Sequence, residues 1–227
     1  SPLTGGWGDA NCGGYFGPGL KGAGFDGVFF SGISEKPVYL SIVDGKAEIC
    51  NAENLWGKDT YETDDYLKTL IGQGAQVACI GPAGEECSLL ACIISDKGRA
   101  AGRSGLGAVM GSKKLKAVVV KGAEKTPVAD ENMLKELRKK YLPDMKAPFP
   151  MELNELGTAG GMEYLVEIGD TGVKNWGGAG LVDFPHPEMI GGKALLKYQK
   201  KKYGCFKCPI SCGGWIETRD FEGNTHL

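Results

Sequence analysis

The chain has 227 residues, with 26 basic against 28 acidic side chains and a formal net charge of −2. That balance removes the bulk attraction by which proteins of nucleic acid and of membrane surfaces are recognised, and no apolar run reaches the ~20 residues that a spanning helix needs. With 42% hydrophobic and 24% charged residues, the composition is that of a soluble protein able to bury one or two cores.

Residues 1–26 read as glycine-rich loop and turn. The run Phe25-Asp26-Gly27-Val28-Phe29-Phe30 is expected to begin a strand. Val38–Val43, then Asp44-Gly45, then Lys46–Ile49 is a hairpin signal, two β-prone runs around an Asp-Gly turn. Thr60–Ile71 predicts a helix with Tyr66, Leu67, Leu70 and Ile71 on one face. Gln76–Ile80, Leu89–Ile94 and Lys116–Lys121 predict further strands. Character changes at Thr126-Pro127, where a domain boundary is placed. Asp130 is an N-cap for a helix striped by Met133, Leu134, Leu137 and Tyr141. A further helix is expected around Met162–Ile168, and another over Lys193–Tyr203 running into a cluster of cysteines. The 37 glycines are spread along the whole chain, which suggests tight turns and close backbone contacts, not a flexible linker.

Two stretches carry chemistry. Arg99–Lys116 holds glycines at 102, 105, 107 and 111 among five basic residues. Glycines allow close approach to a ligand, exposed N–H groups in such a turn form an anion-binding concavity, and arginines supply planar donor forks for phosphate. The spacing is neither a Walker loop nor a dinucleotide fingerprint, and a solvated basic turn is the plain alternative. Cys205-Phe206-Lys207-Cys208-Pro209-Ile210-Ser211-Cys212 spaces three thiols as C-x2-C-x3-C. Soft thiolates this close suit an iron–sulfur cluster or zinc. The spacing is poorer for zinc than paired C-x2-C motifs. A usual cubane wants a fourth thiolate. With no secretory segment ahead of Ser1, the eight cysteines are expected as free thiols in a reducing cytoplasm.

Together, Ser1-Pro2-Leu3-Thr4-Gly5, Ala10-Asn11-Cys12-Gly13-Gly14-Tyr15-Phe16, Glu35-Lys36-Pro37-Val38-Tyr39, Ile80-Gly81-Pro82-Ala83-Gly84-Glu85, the Arg99–Lys116 block and the Cys205–Cys212 block resemble, in family order, the tungsten-pterin aldehyde ferredoxin oxidoreductases. The resemblance implies an α+β fold. A mixed β-sheet domain over residues 1–125 would carry a tungstopterin. Residues 126–227 would begin a mainly helical domain that holds a [4Fe–4S] cluster. Asn11 matches a position that contacts the pterin and its bridging Mg²⁺, against the alternative of a turn asparagine, and Gly13 matches a backbone contact. Arg99, Ala100, Gly102 and Arg103 match the second pterin run, with the Ala100 carbonyl a hard oxygen for Mg²⁺ and the arginines neutralising phosphate. For Arg103 the alternative is a surface salt bridge. Cys12 stands where relatives often carry Ser. Cys205, Cys208 and Cys212 match three cluster ligands, and the resemblance puts the fourth on a later cysteine. The 227 residues are therefore expected to be an internal piece of a longer chain, with the acid–base residues also outside it.

The implied reaction is oxidation of an aldehyde with water to a carboxylic acid, with electrons leaving through the cluster to ferredoxin, in a cytoplasmic homo-oligomer or heteromeric complex. Tungsten and molybdenum are not distinguished. Gly6-Trp7-Gly8-Asp9 and Cys12 look closer to the tungsten subunit of class II benzoyl-CoA reductases, whose substrate is an aromatic acyl-CoA. A third reading, from another class, is a non-catalytic iron–sulfur electron-transfer module. Lys113, Lys114 and Lys116 are expected as a solvated edge, Asp64-Asp65 and Glu85-Glu86 as helix-start or loop charges, and His186 and His226 as structural or solvent-facing.

Overall fold

The computed structural model describes residue 2, residues 4–219 and residues 225–226. Ser1 and Leu3 of the opening motif, and the side chain of His226, lie outside the described residues. The chain divides into two compact units, Ser1–Val128 and Ala129–Leu227.

The first unit is built on one six-stranded mixed sheet. Its strands are β1 (Val38–Val43), β2 (Lys46–Asn51), β3 (Gln76–Cys79), β4 (Ile93–Ser95), β5 (Arg99–Ala101) and β6 (Leu115–Lys121), in the order β2-β1-β6-β3-β4-β5. The predicted hairpin forms β1 and β2, with Val38 opposite Asn51 and Val43 opposite Lys46. Strand β6 lies parallel to β1 and antiparallel to β3. Its near-continuous apolar run, buried from Leu115 to Val120, is what a strand covered on both faces needs.

Alternation distributes that run. Ala117 and Val119 point to one face with Tyr39, Val77 and Cys79, where they meet Leu55 and Leu67. Val118 and Val120 point to the other with Leu40 and Ile42, where they meet Ile80, Met110 and Ala23. Each fully buried Val, Leu or Ile contributes about 1.5–3 kcal/mol. Leu67 belongs to α2 (Thr60–Ile71), the predicted helix, which starts on a capping box: Asp59 accepts from the Glu62 N–H at 2.8 Å and Glu62 from the Asp59 N–H at 3.1 Å. The opposite face is covered by α1 (Phe16–Gly22) and α4 (Leu106–Ser112), and a short helix α3 (Pro82–Glu85) packs on α4.

Three expectations about elements are corrected. Residues 25–30 form no strand: Phe29 is 101% exposed and Phe30 half-exposed, so these aromatics meet no sheet neighbour that would pair them. Of Leu89–Ile94 only Ile93 and Ile94 are strand, because the backbone at 87–92 turns to receive α4. In the second unit the Lys193–Tyr203 helix stops at Leu196. Residues Gln199–Tyr203 form β7, paired antiparallel with β8 (Gly213–Ile216).

The second unit otherwise consists of short helices: α5 (Glu131–Tyr141), α6 (Pro148–Leu156), α7 (Met162–Glu167), α8 (Gly180–Asp183) and α9 (Gly192–Leu196), with a two-residue β9–β10 pair at Thr218–Arg219 and Thr225–His226. Asp130 caps α5 as expected, accepting from the N–H groups of Asn132 and Met133 at 2.9 Å. The stripe of Met133, Leu134, Leu137 and Tyr141 stays exposed. The molecule is α+β, as expected: a mixed sheet followed by a mainly helical unit.

Candidate functional site

Strands β4 and β5 form an edge hairpin whose turn is Asp96-Lys97-Gly98, with Ser95 opposite Arg99. Asp96 and Lys97 sit at φ 48° and 60°, the left-handed pair that matches strand twist in a tight hairpin. Residues 9–15, which have almost no regular structure, lie against this hairpin. The Tyr15 N–H donates to Asp96 Oδ2 at 2.7 Å, Cys12 Sγ is 3.3 Å from Ser95 Oγ, and Ser104 Oγ donates to the Asp9 carbonyl at 3.1 Å. Gly14, at φ +95°, is buried in the contact, and a Cβ there would run into Asp96 Oδ2 and come within 3.2 Å of Arg99 Cγ. The two runs singled out from sequence, 11–14 and 99–103, are thus brought together at one edge of the sheet.

Asn11, Gly13, Ala100, Gly102 and Arg103 are all exposed there, and Arg99 is half-buried. A Cβ at Gly102 would meet no clash, the nearest atoms being Cys92 Sγ at 3.8 Å and Ala100 Cβ at 3.9 Å. The donor set is an amide side chain, backbone N–H groups without Cβ cover, guanidinium forks and the backbone of the exposed residue Ala100 on the edge strand. That set fits a phosphate-bearing cofactor with a hard cation. Ser95, Asp96 and Ser104 were missed from sequence. Asp96-Lys97-Gly98 between two short β-prone runs was the signal that could have found them.

The remaining glycines of the block do something other than approach a ligand. A Cβ at Gly105 or Gly111 would collide with the carbonyls of Leu89 and Gly84, and one at Gly107 would lie 2.6 Å from the Cys92 carbonyl. They let α4 pack backbone to backbone on α3 and the 89–92 segment, and the Gly107 N–H donates to the Ala91 carbonyl at 3.0 Å. The expected solvated lysine edge is also corrected. Lys113 and Lys114 donate to the carbonyls of Gly32 and Glu35 at 3.0 and 2.6 Å, and Lys116 is fully buried. Lys116 Nζ is ion-paired with Glu85 Oε1, itself 3% exposed, and donates to the Lys58 carbonyl at 2.7 Å, while Glu85 Oε2 accepts from the Gly57 N–H at 2.8 Å. Glu85 is therefore no loop charge: it stands in the first turn of α3, as the helix-start alternative has it, but buried and ion-paired.

Asp64 is likewise buried, at 2% exposure. Lys68 Nζ lies 2.9 Å from its Oδ2, Oδ1 has no hydrogen-bond partner among the described residues, and burial holds the carboxyl above the ordinary carboxylate range. Burial also pushes the Cys79 thiol to about 12, and burial followed by the Cys50 hydrogen bond pushes Tyr39 to about 12. Cys79 and Tyr39 are thus core groups that stay neutral. His186 faces solvent with Nδ1 3.2 Å from Glu188 Oε1.

In the second unit Cys205, Cys208 and Cys212 all lie on the loop that joins β7 to β8. The Cys208 N–H donates to the Cys205 carbonyl at 3.0 Å, Lys207 and Ser211 turn the loop at φ 53° and 51°, and Asn154 Nδ2 on α6 donates to the Ile210 carbonyl at 2.6 Å. All eight cysteines are free thiols. Three half-buried thiols on one braced loop are a soft donor set of the kind iron–sulfur clusters use, and among the described residues no three His, Cys, Asp or Glu side chains already converge as a ligand group. No helix among the described residues is long and apolar enough to cross a membrane.

A family model described as aldehyde ferredoxin oxidoreductase, N-terminal domain, matches residues 1–122, and one described as aldehyde ferredoxin oxidoreductase, domains 2 and 3, matches residues 132–226. The tungsten-containing aldehyde ferredoxin oxidoreductase of Pyrococcus abyssi is 41% identical over 217 residues, and that of Thermococcus kodakarensis 42% over 219, in each case 94% of this chain and 35% of the relative. The WOR-like subunit of an aliphatic sulfonate oxidoreductase from Pyrococcus furiosus is 31% identical over 214 residues, 85% of this chain and 33% of that protein. Among solved structures, a chain of the active-site complex BamBC of benzoyl coenzyme A reductase in complex with 1,5-dienoyl-CoA superposes with a TM-score of 0.73 at 31% identity, over 96% of this chain and 35% of that one. The chain spans 35% of the length of the tungsten-containing relatives it matches.

Proposed function

The chain belongs to the aldehyde ferredoxin oxidoreductase family, and on that premise we propose that it supplies the cofactor-holding part of a tungsten-dependent oxidoreductase. The reaction is oxidation of an aldehyde with water to a carboxylic acid, releasing two protons and two electrons, the electrons passing through a [4Fe–4S] cluster to ferredoxin or a similar carrier. The observation that carries the reading is the convergence of the 9–15 loop on the β4–β5 hairpin, which sets Asn11 and Gly13 beside Arg99–Arg103.

In this reading the Arg99 and Arg103 guanidiniums hold phosphate, and the N–H groups of Gly13 and Gly102 approach it without a side chain in the way. The Asn11 amide would contact the pterin, and the Ala100 carbonyl would offer Mg²⁺ a hard oxygen ligand. A bound tungstopterin supplies the two-electron redox chemistry, while the protein positions it and tunes its surroundings. Cys205, Cys208 and Cys212 hold three corners of the cluster on the β7–β8 loop. A second reading, aromatic ring reduction as in a benzoyl-CoA reductase tungsten subunit, is favoured by the likeness to the BamBC chain. A third, a cluster-holding module without pterin, predicts iron without tungsten.

The test is elemental analysis of the anaerobically purified full-length protein, with an activity screen on aldehydes and benzoyl-CoA. Tungsten and iron together with aldehyde oxidation support the first reading, and benzoyl-CoA turnover selects the second. Iron with neither tungsten nor molybdenum removes both.

A further inference from the structure

The loop over residues 9–15 has no ladder and no helix of its own before Tyr15, and it is rich in glycine, so keeping it ordered costs backbone entropy that local structure does not offset. A neighbouring hairpin supplies hydrogen bonds that hold it. Three successive points of the β4–β5 hairpin and the turn after it grip it: Ser95 at Cys12, Asp96 at the Tyr15 N–H, and Ser104 at the Asp9 carbonyl. The hairpin tip is in turn braced. The Gly98 N–H closes on the Asp96 carbonyl at 2.7 Å, and Lys97 Nζ reaches Asp65 Oδ1 on α2 at 2.6 Å and lies 5.8 Å from the centre of the Tyr61 ring.

Asp96 is the charged member of the grip and is out of place by charge alone. A carboxylate next to a loop that receives phosphate repels the ligand unless it serves another partner. Here Oδ2 accepts the Tyr15 N–H, and the same oxygen fills the space where a Cβ on Gly14 would stand. Gly14 and Asp96 are therefore one device: the glycine is bare because the carboxylate occupies its side-chain volume.

We propose that the Ser95–Asp96–Lys97 hairpin tip is a clamp that preorganises the 9–15 loop before any ligand arrives, with Asp96 as its positioning residue. That the loop so ordered presents Asn11 and Gly13 to a pterin rests on the function proposed above; the clamp itself rests on geometry. An ordered loop binds without paying its ordering entropy at that moment, which is what preorganisation contributes to affinity.

The test uses the full-length protein in its metal-free form and reads amide hydrogen exchange in the peptide spanning residues 11–16. Asp96→Ala should accelerate exchange there by at least about tenfold, the factor that a lost charge-assisted hydrogen bond supplies, while β6 amides keep their protection. Asp96→Asn, which keeps an acceptor oxygen in place, should retain most of the protection. Gly14→Ala should release the loop even with Asp96 present, and should add less in an Asp96→Ala background, where the clash with the carboxylate is gone and only the φ +95° strain and the Arg99 Cγ contact remain. Unchanged exchange at 11–16 in both Asp96→Ala and Gly14→Ala overturns the clamp. Should Asp96→Ala fail to fold, the contrast between Gly14→Ala and Asp96→Asn decides, and equal exchange in those two also overturns it. A parallel assay of tungsten per iron in the holo protein, expected to fall in Asp96→Ala, tests the link to the cofactor. If the wild type carries no tungsten or molybdenum, the proposed function fails while the exchange result stands on its own.

Discussion

Replacing Glu85 by Ala would strand the Lys116 ammonium at 0% exposure with the Lys58 carbonyl as its remaining partner at 2.7 Å. Removing one member of a buried ion pair costs about 3–5 kcal/mol, because the surviving charge is neither solvated nor neutralised. The Gly57 N–H loses its acceptor as well, which adds about 1 kcal/mol. The double replacement Glu85→Leu with Lys116→Met removes both charges, and with them the dominant penalty. It still leaves the exposed Gly57 N–H and the partly exposed Lys58 carbonyl without these partners, at about 1 kcal/mol each. The double variant should therefore lie below wild type yet be more stable than either single variant by at least about 2 kcal/mol. The assay is native-state hydrogen exchange of β6 and α2 amides in the full-length protein, a local readout that does not need a two-state transition across several domains. A Glu85→Ala cost below about 1 kcal/mol, or a double variant no better than the singles, would refute the claim that the pair is buried and mutually dependent.

Three further outcomes follow from the same geometry. Gly111→Ala places a Cβ against the Gly84 carbonyl and should cost about 1–3 kcal/mol, loosening α3 and α4 in hydrogen exchange, whereas Gly27→Ala, with nothing within 4 Å, should change stability by less than about 0.5 kcal/mol. Burial raises the Asp64 carboxyl in the folded state, so the folded chain binds that proton more tightly than the unfolded one. Stability is then lost as pH rises from the ordinary carboxylate value through the raised folded one. Asp64→Asn should raise the melting temperature at neutral pH and lose that advantage in acid, and equal shifts at both pH values would contradict the sign. Lys201 and Lys207 are exposed beside the cysteine loop, while Lys200 and Lys202 are engaged by Glu217 and Asn154. Reversing Lys201 and Lys207 to Glu should slow reduction of an acidic electron carrier by about tenfold at low ionic strength, with the gap closing in salt; rates with an unaltered salt dependence would leave these lysines as a solvated face.

What could be read in the chain alone is what near neighbours decide. The β1–β2 hairpin, α2 and the apolar strand β6 all depend on turn chemistry and periodicity within a dozen residues, and each stands where the pattern put it. The cysteine spacing and the basic glycine block were legible for the same reason. Tertiary structure decided the rest, because the partner was remote. Lys116 reads as one more surface lysine until Glu85, 31 residues away, is folded against it. The glycines at 105, 107 and 111 look like a ligand loop until α3 and the 89–92 carbonyls fill the space where their side chains would be. The lysine run after α9 has the makings of a helix and becomes a strand because Gly213–Ile216 is there to pair with it. The candidate site itself joins residues 81 to 95 positions apart along the chain. Which hairpin receives the 9–15 loop is settled by closure of the whole sheet, since a hydrogen bond at that separation becomes favourable only after the core on both sides of β6 has met the entropy of bringing the ends together.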